Sequence, residues 1–471
     1  MTVARTIEDA AAALRRGEVT SVELTDAALK RIKKLDPQLG AFLAINADGA
    51  RAQAVQADAS FAAGLDRGPL QGIPFGLKDI LATADQPTTA NSLILDPAWG
   101  DGTDAVVTER VRGAGAVIAG KLVLSEFAIG APDDAKPFPI PRNPWAADHT
   151  PGGSSAGTGI AVATGMVLGG LGTDTGGSVR GPASFCGHTG LKVSFGRVPK
   201  WGCVPLGYSL DSIGPMARSA WDCAAILNVI AGADARDINA AATPVEDYLA
   251  GIDAGIADLQ VGVPTEYFFD HAKLEPAQKV AVEAVIARLD ELGADVREVS
   301  LPHSDLAKEA NTLTLLAEAL SYHRLDMASE RWTDYGANTR QIIGQAALFS
   351  AADYVQAQRF RTWYAREAAR VMTEVDVLVT PTSPGPAPLA SEQGDPARRL
   401  THPSFTGPFN LLGYPALALP AGFSEDGLPL SAQIVGAPFS EATVLRAARA
   451  YQSTTDWHLQ VPPIVEADGA G

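Results

Sequence analysis

Two short turns rich in glycine and serine carry the residue types that could do chemistry in this 471-residue sequence. Residues 151–157 read PGGSSAG, and residues 172–180 read GTDTGGSVR. Glycine permits positive φ and leaves room for a ligand against the main chain. A serine at the tip of such a turn can present its hydroxyl beside several backbone N–H groups. The two turns therefore predict a serine nucleophile next to an oxyanion hole.

The second turn is the expected source of the oxyanion hole, because its two glycines let neighbouring N–H groups converge on one point. The expected donors are the backbone N–H groups of four consecutive residues: Thr175, Gly176, Gly177 and Ser178. Asp174 and Arg180 flank this turn with opposite charges, so we expect them to pair and hold the loop. Ser155, in the first turn, is expected to form a supporting hydrogen bond within the site.

A third segment lies far upstream, where residues 72–79 read GIPFGLKD. Together the three segments resemble the amidase signature family. Its pattern is a lysine in G-[IV]-P-x-x-x-K-D, then P-G-G-S-S-[GA]-G, then G-x-D-x-G-G-S-[IV]-R. The order is the same here, and Ser154 and Ser178 stand 24 residues apart, which is the spacing of the family. Similar segments continue to about residue 417, so the resemblance covers most of the chain.

The resemblance assigns catalytic roles to three side chains. Ser178 matches the nucleophile, Ser154 the serine that relays its proton, and Lys78 the base that accepts it. A lysine accepts a proton only when it is neutral, so burial must lower its pKa from roughly 10.4. In the family the peptide bond before the relay serine is cis, which corresponds to the Gly153–Ser154 bond. Among the seven histidines, His188 is the nearest to the two turns and is the alternative base.

Three rival motifs do not fit the sequence. GSSAG at 153–157 matches the G-x-S-x-G elbow of α/β-hydrolases, but the segment before it does not have the pattern of a strand. A phosphate-binding loop needs G-x-x-x-x-G-K-[ST], and Thr158 follows Gly157 without a lysine. No H-E-x-x-H pair or cysteine cluster indicates a catalytic metal. We therefore expect no metal and no cofactor.

Strands alternate with helices along the chain, which is typical of an α/β protein. Apolar runs such as 259–263 predict strands, and longer periodic segments such as 276–292 predict helices. The resemblance implies the amidase signature fold, a central mixed and twisted β-sheet covered by helices on both faces. No linker or repeat divides the sequence. We expect one domain over 1–471, with the signature core at about 70–215 and the N-terminal helices of 1–65 packed on it.

Composition restricts the partners and the compartment. Hydrophobic residues make up 46% of the sequence and charged residues 19%, as in a globular protein with a large core. No apolar run reaches the length of a membrane span. Three cysteines are too few for a disulfide framework. The net charge of −17 argues against a nucleic-acid surface. We therefore expect a cytoplasmic protein with no membrane and no nucleic-acid partner.

The resemblance implies an amidase that hydrolyses the C–N bonds of small amides through a Ser-Ser-Lys triad and a covalent acyl-enzyme. Carbamates (a urethanase activity), anilides and esters are further chemically possible substrates. The expected partner is a small amide-type molecule, and the expected assembly is a monomer or homodimer. We expect a largely apolar substrate pocket, formed by Phe127, Ala128, Ile129, Gly130 and Tyr208.

Two alternatives stay open. The first is the glutaminase A subunit of a tRNA-dependent amidotransferase, which belongs to the same family and works within a complex. Two features of the sequence differ from that subunit: Ala156, where glycine is usual, and residues 406–415. The second alternative is a non-catalytic protein on the same fold, which the intact Lys78, Ser154 and Ser178 disfavour.

Overall fold

A computed structural model describes residues 5–395 and 402–465. Eleven strands of this part of the chain form one continuous sheet. They are β1 (Phe42–Ile45), β2 (Pro74–Lys78), β3 (Val117–Leu122), β4 (Gly169–Asp174), β5 (Thr189–Lys192), β6 (Ser212–Ala217), β7 (Gln260–Pro264), β8 (Asp295–Val299), β9 (Val377–Pro381), β10 (Ala416–Phe423) and β11 (Pro429–Gly436). Across the sheet their order is β1-β3-β2-β4-β6-β5-β10-β11-β9-β7-β8.

The sheet is mixed. β2 runs parallel to both of its neighbours, β3 and β4, and β7 runs parallel to β8 and β9. The strands between these two parallel groups, from β4 through β6, β5, β10 and β11 to β9, pair antiparallel. The prediction of an α/β fold with a mixed central sheet and covering helices is confirmed.

The helices occupy the stretches between the strands. They are α1 (Ile7–Arg15), α2 (Ser21–Leu39), α3 (Ala47–Ala62), α4 (Val106–Gly113), α5 (Ala156–Ala163), α6 (Arg180–Cys186), α7 (Ala220–Ile230), α8 (Pro276–Glu291), α9 (Ser304–Met327), α10 (Ala337–Ala346), α11 (Ala351–Val371), α12 (Gly407–Leu412) and α13 (Glu441–Gln452). Of the described helices, none is long and apolar enough to cross a membrane.

Helix α2 shows how the sequence sets the ends of an element. Thr20 Oγ1 accepts a hydrogen bond from the Glu23 N–H, and the Glu23 carboxylate accepts one from the Thr20 N–H, which together form a capping box. The helix ends at Gly40, whose φ of 60° is left-handed and favours glycine.

The N-terminal helices pack on the rest of the molecule. Ile7, Ala10 and Leu14 of α1 belong to the same buried apolar cluster as Phe75 and Leu77 of β2. Burying one such side chain stabilises the fold by about 1.5–3 kcal/mol relative to exposing it. This packing supports the prediction that the N-terminal helices lie on the signature core. The single-domain organisation stays a prediction.

Strands β2 and β4 bring the sequence motifs together. They are parallel neighbours, with Phe75 opposite Gly169 and Leu77 opposite Leu171. Their carboxyl ends therefore meet at one edge of the sheet, where Lys78 ends β2 and the second glycine-serine turn follows β4. The sequence pattern does not predict β2, because Pro74 and Gly76 interrupt its apolar run. All five of its residues are buried.

The close spacing of β5 and β6 yields a stability prediction. A Cβ added at Gly214 of β6 would collide with the backbone carbonyl oxygen of Leu191 in β5. Backbone in a central sheet cannot move aside easily, so Gly214→Ala should lower the free energy of unfolding by about 1–3 kcal/mol. Gly113→Ala is the control, since a Cβ there meets nothing within 4 Å. Urea unfolding midpoints measure both variants, and equal midpoints would contradict this account of the strand packing.

Candidate active site

Lys78 lies in the interior of the protein and contacts two hydroxyl groups. Its Nζ is 2.7 Å from Ser154 Oγ and 2.7 Å from Thr173 Oγ1. The Lys78 side chain has no exposed surface, and Ser154 is 3% exposed. Sequence reasoning did not identify Thr173, which is placed here because it precedes the last residue of β4. The Ser154 hydroxyl can therefore exchange a proton with the amine, and the Thr173 hydroxyl holds the amine in its orientation.

Burial lowers the pKa of Lys78 to about 7. Removing an ammonium from water disfavours its charged form, and this effect outweighs the opposing influence of Cys203, Asp211 and Asp174. A large fraction of the amine is therefore neutral near pH 7. A neutral amine can accept a proton from the Ser154 hydroxyl.

The two glycine-serine turns touch through their backbones. The Ser155 N–H donates to the carbonyl oxygen of Ser178 at 3.3 Å, and Ser155 Oγ lies 3.3 Å from both backbone groups of Thr173. The Gly153–Ser154 peptide bond is cis. Ser178 is half-buried, whereas Ser154 and Lys78 are buried beneath the surface. The three residues of the predicted triad thus come from three segments that the fold assembles at one edge of the sheet.

Asp174 fixes the shape of the second turn. Its carboxylate accepts hydrogen bonds from the N–H of Gly177 at 2.7 Å and of Val179 at 3.1 Å. The Gly177 N–H is consequently occupied, which differs from the expectation of four oxyanion donors. Within the described residues, the N–H groups of Thr175, Gly176 and Ser178 have no acceptor. These three remain as the proposed oxyanion donors.

Arg180 and Asp174 form an ion pair that is buried on both sides. Arg180 Nε lies 3.1 Å from Asp174 Oδ2, and neither side chain is exposed. Burial alone would raise the pKa of Asp174, but Arg180 and the Asn410 amide together hold it well below its usual range. The remaining Arg180 N–H groups donate to Asn410 Oδ1 and Gln433 Oε1. The turn is therefore tied to α12 and β11, two distant segments that no local sequence pattern connects with it.

The other side of the turn is held by hydroxyl groups. Thr175 Oγ1 donates to Asp211 at 2.6 Å, and Thr406 Oγ1 donates to the Gly176 carbonyl oxygen at 2.8 Å. Gly177 has a φ of 125°, and a Cβ at this position would collide with the Thr406 side chain. Glycine is thus required at 177 for two independent reasons, backbone conformation and space.

A cavity of about 420 Å³ opens above the two turns. Gly152, Gly153 and Gly176 line it on the side of the turns. The opposite wall comes largely from α9 and α10 and is rich in polar side chains: Lys308, Asn311, Thr312, Asn338, Gln341 and Gln345. Apolar side chains such as Leu315 and Ile342 lie on the same wall, so the cavity is lined by a mixture of polar and apolar groups instead of the largely apolar lining expected from the sequence.

Most of the residues predicted for the pocket lie elsewhere. Gly130 lines the cavity. Phe127, Ala128 and Ile129 are buried in a separate apolar cluster, where the Phe127 ring packs 4.5 Å from that of His323. Tyr208 is 55% exposed and is not part of the cavity wall. The sequence could not distinguish residues that line the cavity from residues of the hydrophobic core, because apolar side chains near a motif are typical of both.

Within the described residues, the alternative base His188 forms no hydrogen bond with Ser154 or Ser178. His188 is fully buried beside β5, with Nδ1 2.9 Å from the Thr189 carbonyl oxygen. Burial lowers its pKa to about 4. It is therefore no partner for the serines in this structure.

Comparison with known proteins identifies the family. Residues 23–445 match the family model described as Amidase, and this chain belongs to the amidase signature family. A relative from Roseiflexus sp. (strain RS-1), named as the A subunit of glutamyl-tRNA(Gln) amidotransferase, is 44% identical over 98% of each chain. The protein is accordingly an amidase-family hydrolase that acts on C–N bonds.

Two solved structures illustrate the range of the fold. One is described as "an unexpected vestigial protein complex" that reveals the origins of an s-triazine catabolic enzyme. It aligns with a TM-score of 0.88 at 31% identity, over 95% of this chain and 98% of its own. The other is the A subunit of glutamyl-tRNA(Gln) amidotransferase from Thermotoga maritima. It aligns with a TM-score of 0.80 at 33% identity, over 96% of this chain and 94% of its own.

These relatives overturn one prediction from the sequence. The relatives from Roseiflexus and from Thermotoga maritima are by name A subunits of glutamyl-tRNA(Gln) amidotransferase. The expectation of a monomer or homodimer without a nucleic-acid partner is therefore wrong. It rested on net charge, and net charge describes the chain alone, whereas another member of an assembly can supply the surface that binds RNA.

The geometry predicts which serine is reactive. Ser178→Ala should abolish covalent labelling by a fluorophosphonate, because that hydroxyl is the proposed nucleophile, and should leave the fold intact. Ser155→Ala is the matched comparison and should retain labelling at Ser178. Mass spectrometry of the labelled peptide reads the result. Labelling at Ser155 in the wild type would favour the α/β-hydrolase interpretation of GSSAG.

The lowered pKa of Lys78 predicts a pH profile. The base acts only when neutral, so kcat/KM should rise about tenfold per pH unit below pH 7 and level off above it. Lys78→Met should remove this limb together with most of the activity, by about 10²–10⁴-fold. Initial rates between pH 5 and 9 measure it. A limb that persists near pH 7 in Lys78→Met would show that another group is the base. That group would not be His188, because a limb set by the pKa of His188 would lie near pH 4.

Proposed function

We propose that this chain is the glutamine-hydrolysing A subunit of a tRNA-dependent amidotransferase. The observation that carries the proposal is the 44% identity to such a protein over 98% of both chains. The aligned region covers the segments that form the cavity wall as well as the two glycine-serine turns. The polar side chains on the cavity wall support the same proposal, since a free amino acid amide carries charged groups that a wholly apolar pocket would leave without partners.

The proposed reaction begins with neutral Lys78. It accepts the proton of Ser154, which at the same time takes the proton of Ser178, and Ser178 Oγ attacks the carboxamide carbon. The carbonyl oxygen becomes an oxyanion that accepts hydrogen bonds from the N–H groups of Thr175, Gly176 and Ser178. Each such donor contributes about 2.7–4 kcal/mol to the transition state in serine hydrolases.

The second half of the reaction returns the proton. Protonated Lys78 gives its proton back through Ser154 to the leaving nitrogen, so that ammonia departs neutral and the acyl group stays on Ser178. Water then attacks the ester, with Lys78 again accepting a proton through the same relay. Lys78 returns that proton through Ser154 to Ser178 Oγ as the ester bond breaks, so that the carboxylic acid leaves and the serine and the neutral amine are restored. The residues of this chain supply every proton acceptor and donor that the two steps require.

A second candidate is a catabolic hydrolase of a small amide that works within a protein complex. One observation favours it: the structure connected with the catabolic enzyme aligns with a TM-score of 0.88, whereas the Thermotoga maritima protein aligns with one of 0.80. Ala156 and residues 406–415 also differ from the pattern usual in the amidotransferase. The catalytic steps of this second candidate are the same as those of the amidotransferase subunit, and the two candidates differ only in the acyl group that the cavity would bind.

Ammonia release distinguishes the two candidates. The purified chain is assayed with glutamine alone, and then with the other amidotransferase subunits and glutamyl-tRNA added. The proposal expects glutamine hydrolysis that rises at least tenfold on assembly, because a protein that supplies ammonia to a partner is useful only when docked to it. Ser178→Ala in the same assembly is the control and should release no ammonia.

Cleavage of a simple anilide by the isolated chain, with no glutamine hydrolysis in any assembly, would instead support the catabolic candidate. A chain that is inert towards both substrates and towards a fluorophosphonate would indicate a non-catalytic protein.

A further inference from the structure

A second buried ion pair includes Asp79, the residue that follows the base in the chain. Asp79 follows Lys78 in the chain, and its Oδ1 is 3.0 Å from Lys121 Nζ. Neither side chain has any exposed surface. A buried ion pair loses much of its Coulombic gain to desolvation, so it is weak evidence for a stabilising role by itself. Its position next to the base calls for another explanation.

The pair ties together three segments around the end of β2. Asp79 Oδ2 accepts hydrogen bonds from the Thr89 N–H at 2.9 Å and from the Thr89 hydroxyl at 2.6 Å. Lys121, on the adjacent strand β3, donates to the Leu81 carbonyl oxygen and to Thr88 Oγ1, each at 2.7 Å. The chain is thereby clamped on both sides of the turn that follows Lys78, which fixes where the lysine side chain begins.

The pair also has an electrostatic consequence. A carboxylate left unpaired next to a buried amine favours the ammonium form, because opposite charges attract strongly where water is excluded. Lys121 cancels the charge of Asp79. Two further carboxylates, Asp174 and Asp211, act on the pKa of Lys78, and both have partners of their own. Asp174 is paired with Arg180, and Asp211 accepts hydrogen bonds from Thr175 and from backbone N–H groups.

We propose that the buried Asp79–Lys121 ion pair positions the catalytic base: it fixes the end of β2 and cancels the Asp79 charge, so that Lys78 remains neutral. Asp79 and Lys121 touch neither substrate nor the reacting hydroxyls and are positioning residues. The inference rests on the proposed role of Lys78, and it holds for either candidate substrate.

The test follows the pH dependence of Ser178 modification by a fluorophosphonate, which needs no knowledge of the substrate. In that step Ser178 Oγ forms a bond to phosphorus, fluoride leaves, and the serine proton passes to Lys78 through Ser154. The second-order rate constant should therefore rise with pH along the limb set by Lys78. The pH at the midpoint of this limb is the apparent pKa of Lys78, which changes with the charges around the amine.

Three variants should move this midpoint in defined directions. Lys121→Met leaves the Asp79 charge unbalanced and should raise the midpoint by about 0.5–1 pH unit, and Asp79→Asn leaves the Lys121 charge unbalanced and should lower it by a similar amount. The double variant Asp79→Asn/Lys121→Met should return the midpoint to within about 0.2 unit of wild type. If Lys121→Met does not fold, the inference is tested by Asp79→Asn alone, for which the expected shift of the midpoint is downward.

A matched control separates position from general destabilisation. Arg197 and Glu441 form another buried ion pair, with a separation of 3.8 Å, and neither residue adjoins Lys78 in the chain. Arg197→Met should lower the unfolding temperature without moving the midpoint. The inference is overturned if the Asp79 and Lys121 variants lose rate with an unchanged midpoint, or if both single variants shift it the same way. If instead Lys78→Met keeps the wild-type limb, the proposed role of Lys78 itself fails.

Discussion

The structure depends on burying one lysine without giving it a carboxylate partner. Lys78 has no exposed surface, its contacts are the hydroxyls of Ser154 and Thr173, and burial brings its pKa to about 7. An exposed lysine, or one paired with an acid, would remain protonated at neutral pH and could not serve as a base. Three carboxylates stand near it in sequence or space, Asp79, Asp174 and Asp211, and each has other partners. The polar network around the site is thus arranged so that charge stays away from the amine.

The same network holds the backbone that must stabilise an oxyanion. Asp174 is buried and ionised, and it accepts hydrogen bonds from the turn on one side and from Arg180 and Asn410 on the other. Because a buried carboxylate is costly to leave without partners, this arrangement gives the turn little freedom to rearrange. Donors that are already in place need no reorganisation as charge develops on the substrate.

Chemistry and specificity come from different parts of the chain. The proposed triad and oxyanion turn lie between Lys78 and Arg180, whereas much of the facing cavity wall comes from α9 and α10. Relatives can therefore keep the glycine-serine turns and exchange the wall, which agrees with the presence, among the similar proteins, of both an amidotransferase subunit and a complex connected with the origins of a catabolic enzyme. The wall here combines Lys308 and several carboxamides with apolar side chains such as Leu315 and Ile342.

The sequence alone determined the α/β class, the ends of helices such as α2, and the residues that form the catalytic turns, because capping, periodicity and glycine-dependent turns are local properties. Only the tertiary structure decided that Thr173 contacts Lys78, that Gly177 donates to Asp174, that Arg180 reaches Gln433, and that Phe127 packs in the interior instead of lining the cavity. It also revealed β2, whose glycine and proline hide its pattern. These features depend on which distant segments meet across an eleven-stranded sheet. Burial and charge pairing, which set the pKa of Lys78, arise only after those segments have come together.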